Sequence, residues 1–299
     1  MASFDFMLPY YGDVRQMQDA VRSVLAQTDR DFRLVVIDDG KQPEVPGWFG
    51  QLGDERVHYT RNEQNLGITK NFQKCVDLSE ADHVVIMGCD DLLHPHYLET
   101  VRGIITAHPG IGMVQPGVEV IDGAGLVTQG PVDNAKQRLY APQVQGRALM
   151  AGEELAASVL RGNWLYFPSI AWRGEALRRV NFRDEYSVIQ DLALVVDLLE
   201  AGEQMAIDNS TVVFQYRRHE VSESSVQAFS GTRFTEAERY FAAVAARMDA
   251  RGWPKAARAA RFHSASRLHA LMMLPGALRR GHRAGARILA RHVFTSGRG

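Results

Sequence analysis

Two stretches decide the fold: DFRLVVIDDG, residues 31–40, and VVIMGCDDLLHPHYLE, residues 84–99. Each places a short apolar run directly before a pair of aspartates. Such a run bounded by turn residues predicts a buried strand, and strands that alternate with helices build a parallel sheet. Because open parallel sheets bind ligands at the carboxyl ends of their strands, both aspartate pairs are predicted to lie at one ligand-binding edge.

The chain around these stretches repeats the alternation of strands and helices. Strands are predicted at residues 4–8, 32–37, 57–61 and 83–87, and again at 211–216. Helices are predicted at residues 14–25, after Pro95, at 153–161, at 192–201 and from Thr232 onward. The segment 117–146, rich in Gly, Pro, Gln and Asn, is predicted to form extended loops.

These elements predict an α/β fold with a mostly parallel central sheet flanked by helices and a C-terminal helical extension. We expect one continuous domain over residues 1–230, divided into halves at residues 1–115 and 116–230, and a basic helical extension over 231–299. At 299 residues and 45% hydrophobic content, the chain can bury a full core.

Composition predicts a reducing, cytoplasmic environment. Cys75 and Cys89 have neither disulfide-framework nor zinc-ligand spacing. The N-terminus lacks a basic segment followed by an apolar stretch, and no run reaches about 18 apolar residues. We therefore expect neither a signal peptide nor a membrane span.

Charge is distributed unevenly along the chain, although the net charge is −1. Residues 250–299 hold ten Arg and one Lys without Asp or Glu, which leaves 23 basic against 35 acidic residues before them, a net charge of −12. The Arg-rich helices could lie on the inner, anionic face of a membrane or pack on their own acidic domain. Nucleic acid is not an expected partner, because aromatic interleaving and a recognition motif are missing.

The aspartate pairs at residues 38–39 and 90–91 suggest a cation. Neighbouring carboxylates repel each other unless a cation or hydrogen-bond donors compensate, and Mg²⁺ and Mn²⁺ prefer such oxygen ligands. A metal-bridged diphosphate is the ligand that fits. The alternative is that each Asp caps the helix or turn after its strand.

Five segments in order resemble the inverting family 2 glycosyltransferases of the GT-A, or nucleotide-diphospho-sugar transferase, fold. They are LPYYGD (8–13), SVLAQT (23–28), DFRLVVIDDG (31–40), RNEQNLGITKN (61–71) and VVIMGCDDLLHPHYLE (84–99). The resemblance resumes at residues 182–202 and at YRRHEVSESS, residues 216–225. It implies a nucleotide-binding first half and an acceptor-binding second half.

The resemblance also implies roles for single residues. For the donor nucleotide these are Pro9 and Tyr11 against the base and ribose, Asp39 on the imide nitrogen of uracil or thymine, Lys70 on a phosphate or the base, and Asp90 on the ribose. Asp91 matches the ligand of the divalent cation, Mn²⁺ or Mg²⁺, and His219 matches a histidine that completes the metal or diphosphate site. Gly88 departs from the pattern, because many family members carry an acid there.

Asp191 is the predicted catalytic base. It precedes the apolar helical pattern of VIQDLALVVDLLEAG, residues 188–202, and the resemblance places an acceptor-side acid there. The alternative is an ordinary N-terminal cap, which would also hold the carboxylate still. The aromatic residues before it, Trp164, Tyr166, Phe167 and Trp172, either line an acceptor pocket or fill the core.

Together these roles predict metal-dependent, inverting transfer of a hexose from a UDP- or dTDP-sugar to a hydroxyl acceptor, with a lipid-linked glycan as one candidate. The rival hypothesis is a catalytically silent nucleotide-sugar-binding or assembly protein, and Gly88 favours it. A nucleotidyltransferase fits poorly, because the loop after the first strand lacks a Gly-rich basic sequence. A dinucleotide oxidoreductase fits less well, because G-x-G-x-x-G is missing there.

Overall fold

A nine-stranded sheet forms the centre of the computed structural model, which describes residues 2–128, 137–218 and 232–294. The strands are β1 Phe4–Tyr10, β2 Arg33–Asp38, β3 Val57–Arg61, β4 His83–Ile86, β5 Leu92–Leu93, β6 Met113–Ile121, β7 Arg147–Ala151, β8 Ala171–Arg173 and β9 Gln204–Arg217. The order across the sheet is β3-β2-β1-β4-β8-β6-β9-β5, and β7 pairs with β9.

Helices flank this sheet and continue to the end of the described chain. They are α1 Val14–Leu25, α2 Glu44–Leu52, α3 Ile68–Leu78, α4 Tyr97–Ala107, α5 Gly152–Arg161, α6 Gly174–Val180, α7 Gln190–Glu200, α8 Thr232–Ala250, α9 Pro254–Phe262, α10 Ser264–Arg279 and α11 Arg283–Phe294. A short 3₁₀ turn spans Phe167–Ser169.

The first half of the sheet is parallel, as predicted. β1 lies between β2 and β4 and is parallel to both, and β3 continues the parallel order beyond β2. In the second half β6 and β9 are parallel, whereas β8 is antiparallel to β4 and β6. The expected α/β fold with a central sheet, flanking helices and C-terminal helices is confirmed, and antiparallel strands complete its second half.

The prediction that loops begin at residue 117 is wrong, because β6 continues to Ile121. Its register against β9 shifts on either side of Gly117. A Cβ atom at Gly117 would lie 2.4 Å from the carbonyl oxygen of Thr211, so only glycine lets the two backbones approach this closely. Gly117, the first residue of the predicted loop segment, instead forms an irregularity inside a strand together with Pro116.

Two hydrophobic cores lie on the two faces of the sheet. Met17, Val21 and Val24 of α1 are buried in one core, and the N-cap Asp13 starts that helix by accepting a hydrogen bond from the backbone of Gln16. On the other face, α7 is buried along nearly its whole length. This core includes residues of α5 and α9, so the C-terminal helices pack on the domain that precedes them.

Helices α8 to α11 lie in the extension, where helices were predicted from Thr232 onward. Tyr240, Phe241 and Val244 of α8 lie in the core that contains α7, whereas α10 and α11 share a smaller cluster with Phe234. No helix in the described ranges is long and apolar enough to cross a membrane. The domain boundary at residues 230/231 stays a prediction.

Candidate active site

The loops after the first four strands lie side by side at the carboxyl edge of the sheet. The backbone N–H of Asp39 donates to the carbonyl of Tyr10 at 2.8 Å, and that of Asn62 donates to the carbonyl of Asp38 at 2.8 Å. On the other side of β1, the N–H of Met87 donates to the carbonyl of Met7 at 2.9 Å. Parallel pairing therefore brings both aspartate pairs to one edge.

Asp39, the predicted base-contacting residue, is 3% exposed. Its Oδ1 accepts hydrogen bonds from the side-chain amide of Asn62 and the N–H of Leu66, both at 2.8 Å, and its Oδ2 accepts from the N–H of Gly67 at 3.0 Å. The carboxylate thus holds the loop that leads into α3. Among the described residues, Gly67 is the single donor to Oδ2 of Asp39. The contact of Asp39 with the imide nitrogen of a uracil or thymine base stays a prediction.

Asp38 is fully buried and binds the end of β3. Its Oδ2 accepts from the hydroxyl of Tyr59 at 2.5 Å and from Nε of Arg61 at 2.7 Å, while Oδ1 accepts from the N–H of Gly40 at 2.8 Å. Burial, and then the bond to Asp38, raise the pKa of Tyr59 above its usual value. Hydrogen-bond donors therefore compensate the negative charges of Asp38 and Asp39. In this first aspartate pair, the donors take the place that a cation would otherwise have.

The other residues that were predicted to contact the donor nucleotide are more exposed to solvent. Tyr11, at the end of β1, is 65% exposed, and Pro9 is half-buried. Lys70 is exposed in the first turn of α3, and its ammonium group makes no hydrogen bond with a described residue. One helical turn later, Lys74 donates to Oδ1 of Asn62 at 2.6 Å. The positions of Tyr11 and Lys70 leave both side chains available to a ligand.

The second aspartate pair has a different environment. Asp91 is 1% exposed; its Oδ1 accepts the N–H of Arg217 at 2.8 Å, whereas its Oδ2 has no hydrogen-bond partner among the described residues. Burial, and then the charge of Asp90, raise the pKa of Asp91 well above its usual value. A Cβ at Gly88 would lie 2.4 Å from Oδ2, so the Asp91 carboxylate occupies the space beside that glycine.

A cation fits the Asp91 carboxylate. A buried carboxylate oxygen without a partner is costly, and a bound divalent cation compensates it. Within the described ranges, no group of three or more His, Cys, Asp and Glu side chains has the geometry of a metal site. His219 lies outside the described residues, so its predicted role stays a prediction.

Asp191, the predicted base, lies half-buried in the first turn of α7. The N-cap position belongs to Ile189, so Asp191 is not the cap residue. Its Oδ2 accepts a hydrogen bond from the side-chain amide of Asn163 at 2.9 Å. That amide orients the carboxylate, and an acid in the first helical turn is favoured by the helix dipole.

Asp191 faces a cavity of about 220 Å³. Aromatic and basic side chains from several elements line it, including Trp164, Tyr166, Phe167, Tyr216, Arg218 and Arg233. Trp172 is fully buried in the core and does not line this cavity, whereas Trp164 and Phe167 line the cavity and also belong to that core. Burial lowers the pKa of the Arg233 guanidinium, and the charge of Asp191 opposes that shift.

The end of β9 connects this cavity with the second aspartate pair. The N–H of Arg217 binds Asp91, and its Nε donates to the carbonyl of Asp90 at 2.7 Å. The adjacent residues Tyr216 and Arg218 line the cavity that contains Asp191. Because successive side chains of a strand point to opposite sides, one strand end separates Asp90 and Asp91 from the cavity beside Asp191.

Sequence reasoning missed several residues of this site. Asn62 directly follows β3 at the carboxyl edge, so the rule that located the aspartates would also have located it. Arg217 lies in YRRHEVSESS, a segment that resembles the family, but no role was predicted for it. Asn163 and Arg233 carried no comparable signal, because their contacts join segments far apart in the chain.

Comparison with known proteins agrees with this architecture. The family model "Glycosyl transferase family 2" matches residues 5–141. The chain is 27% identical to an uncharacterized glycosyltransferase of Nostoc sp. over 176 residues. The match covers 57% of this chain and 50% of that relative. It is 34% identical over 86 residues, 28% of its length, to the glucosyl-dolichyl phosphate glucuronosyltransferase of Haloferax volcanii, of which it covers 27%.

Solved structures extend the similarity beyond the family match. TarS 1-349 of S. aureus in complex with UDP-GlcNAc has a TM-score of 0.62 at 14% identity, over 97% of this chain and 71% of that chain. The complex of TarS 1-349 with UDP has a TM-score of 0.55 at 14% identity, over 79% of this chain and 65% of that chain. At this identity the similarity establishes the GT-A fold. Residues 5–141 are thus similar to glycosyl transferase family 2.

Proposed function

We propose that the protein is an inverting glycosyltransferase that uses a UDP- or dTDP-sugar and a divalent cation to glycosylate a hydroxyl acceptor. The observation that carries this proposal is the end of β9, where Arg217 binds Asp91 on one side and its neighbours line the Asp191 cavity on the other. Donor-side and acceptor-side carboxylates in adjoining sites are what direct displacement requires.

The acceptor hydroxyl would enter the cavity beside Asp191. Asp191 accepts the hydroxyl proton as the acceptor oxygen forms a bond to the anomeric carbon, and the bond from that carbon to the nucleotide diphosphate breaks with its electron pair. Asn163 keeps the base oriented. A cation held by Asp91, with His219 as a further predicted ligand, would neutralise charge on the diphosphate.

Two comparisons guide the choice of substrates. The TarS complexes contain UDP-GlcNAc and UDP, so uridine donors are the first to test. The name of the Haloferax volcanii relative specifies glucosyl-dolichyl phosphate, a lipid-linked sugar, which favours a lipid-linked hydroxyl acceptor here.

Calorimetric titration with UDP, dTDP and GDP, each with and without Mn²⁺, tests the donor site. We expect a pyrimidine diphosphate to bind the wild type only with Mn²⁺, and Asp91→Ala to abolish this binding. Asp19→Asn, an exposed carboxylate change on α1, is the matched control and should bind normally. Tight UDP binding by Asp91→Ala, or no binding by the wild type, contradicts the proposal.

The rival hypothesis of a silent nucleotide-sugar-binding protein needs a separate measurement. Release of UDP from UDP-sugars is measured across a panel of glycan and lipid-linked acceptors. Binding without acceptor-dependent release would favour the silent protein, and acceptor-dependent release would exclude it.

A further inference from the structure

Helix α10 is apolar on two opposite sides. Ala270 and Ala277 are buried in the cluster that joins it to α8 and α11. On the other side lies a stripe that we call the outer face: Leu268, Leu271, Met272, Pro275 and Leu278. The Leu and Met side chains of this stripe are between 45% and 61% exposed. Helices that are apolar all round are normally covered on both sides, so the outer face requires a partner.

Positive charge follows the outer face along the chain. Arg279 continues the stripe at helical spacing, and Arg283 and Arg287 lie exposed on α11 directly after it. None of these three guanidinium groups forms an ion pair with a residue in the described ranges. Residues 250–299 also contain no acidic residue, so nothing in this segment offsets their charge.

We propose that the outer face of α10, together with Arg279, Arg283 and Arg287, docks on an anionic lipid surface. Apolar side chains enter the boundary between headgroups and acyl chains, and the guanidinium groups bind headgroup phosphates. A second copy of this chain fits less well. A two-fold interface would bring the same arginines of both copies together without an acid to compensate them.

The position of α10 connects this surface with the active site. Ser264, the first residue of the helix, donates its hydroxyl to the carbonyl of Arg161 at 3.3 Å. A Cβ at Gly162 would lie 2.9 Å from the Cβ of Ala265. The next residue, Asn163, binds Asp191. Docking would therefore place lipid against α10, whose first residues lie beside Arg161 and Gly162, next to Asn163 at the cavity. This position suits a lipid-linked acceptor.

Sedimentation of the full chain with phosphatidylcholine vesicles, with and without phosphatidylglycerol, tests the proposal. The apolar variant is Leu271→Ser with Met272→Ser and Leu278→Ser. Its matched control removes three exposed apolar side chains elsewhere, by Leu126→Ser with Val127→Ser and Val212→Ser.

A second pair of variants tests the charges. The charge variant is Arg279→Gln with Arg283→Gln and Arg287→Gln. Its matched control removes three exposed positive charges of the first domain, by Arg15→Gln with Arg30→Gln and Lys41→Gln. Thermal unfolding and UDP binding of every variant show whether the fold and the donor site remain intact.

We expect the wild type to bind only the vesicles that contain phosphatidylglycerol, and more weakly as salt is added. The apolar and the charge variants should each lose about tenfold or more in vesicle affinity, while both controls bind normally. Failure of the wild type to bind, or full binding by a folded apolar variant, overturns the proposal. A solution dimer that the apolar variant abolishes also overturns it, because the outer face would then be a protein interface. Vesicle binding needs no transfer activity, so it can fail while the proposed function stands.

Discussion

Asp91 and Asp191 show how the environment of a residue separates two carboxylates into different roles. Asp91 is buried and keeps an oxygen without a partner in the described chain, which favours the neutral acid unless a cation binds. Asp191 is half-buried, hydrogen-bonded to one amide and open to a cavity. One environment suits a metal ligand and the other suits a proton acceptor.

Replacing Asp191 tests its role as the base. Asp191→Asn keeps the size of the side chain but cannot accept the acceptor proton, so turnover should fall by about 10² to 10⁴. UDP affinity should stay unchanged, because the donor contacts lie across β9. Steady-state rates together with calorimetry measure both quantities. Asn163→Ala, which leaves the carboxylate in place, should reduce turnover less. Normal turnover by Asp191→Asn would exclude it as the base.

At the scale of elements, the pairing of β6 with β9 positions the site. This pairing carries Arg217 to Asp91 and places Tyr216 and Arg218 at the cavity. It depends on the close backbone approach at Gly117. A change there should therefore affect the stability of the second half of the sheet.

Gly117→Ala should destabilise the protein by about 1–3 kcal/mol, because its Cβ would overlap the Thr211 carbonyl oxygen, a backbone atom that cannot move alone. Gly103→Ala is the matched control. Gly103 lies exposed in α4 with open space around it, so alanine there should stabilise the helix by about 0.5–1 kcal/mol. Urea unfolding measures both changes, and equal effects of the two substitutions would contradict this account.

At the scale of the whole molecule, the C-terminal helices join the fold through buried histidines. The His292 ring lies 5.0 Å from the rings of Phe234 and His263, and its Nε2 is 2.9 Å from the hydroxyl of Ser266. Burial, and then the charges of His263 and Arg267, lower the pKa of His292 to about 4. The nearest acid is Glu238, 3.7 Å from Nδ1.

Acid should therefore loosen these helices. The unfolded chain binds a proton at His292 below its ordinary pKa of about 6.5, whereas the folded chain resists protonation until about pH 4. Stability is thus highest above pH 6.5 and is lost as pH falls toward 4, by about 3 kcal/mol in total. Urea unfolding at pH 7 and pH 5 measures the loss. His292→Gln should reduce the pH dependence, and an unchanged slope would contradict the prediction.

The first four strands and helices α1 and α4 could be predicted from the amino-acid sequence. β1, β2 and β4 each contain a short apolar run followed by turn residues, and such local patterns determine which segments become buried strands. The same patterns predicted α1 and α7, as well as helices in the C-terminal extension. That β6 runs through Pro116 and Gly117 could not be predicted, because the pairing with β9 overrides the local preference of these two residues for a loop.

By itself, the sequence determined the class of fold, the family resemblance and the edge of the sheet where the aspartates lie. These depend on periodicity and on the order of motifs, which are local properties of the chain. Only the tertiary structure decided that hydrogen-bond donors surround Asp38 and Asp39 and that Arg217 separates Asp91 from the Asp191 cavity. It also decided that one buried oxygen of Asp91 has no partner among the described residues. The physical reason is that burial and hydrogen bonding arise between residues far apart in the chain, so they exist only after the sheet has formed.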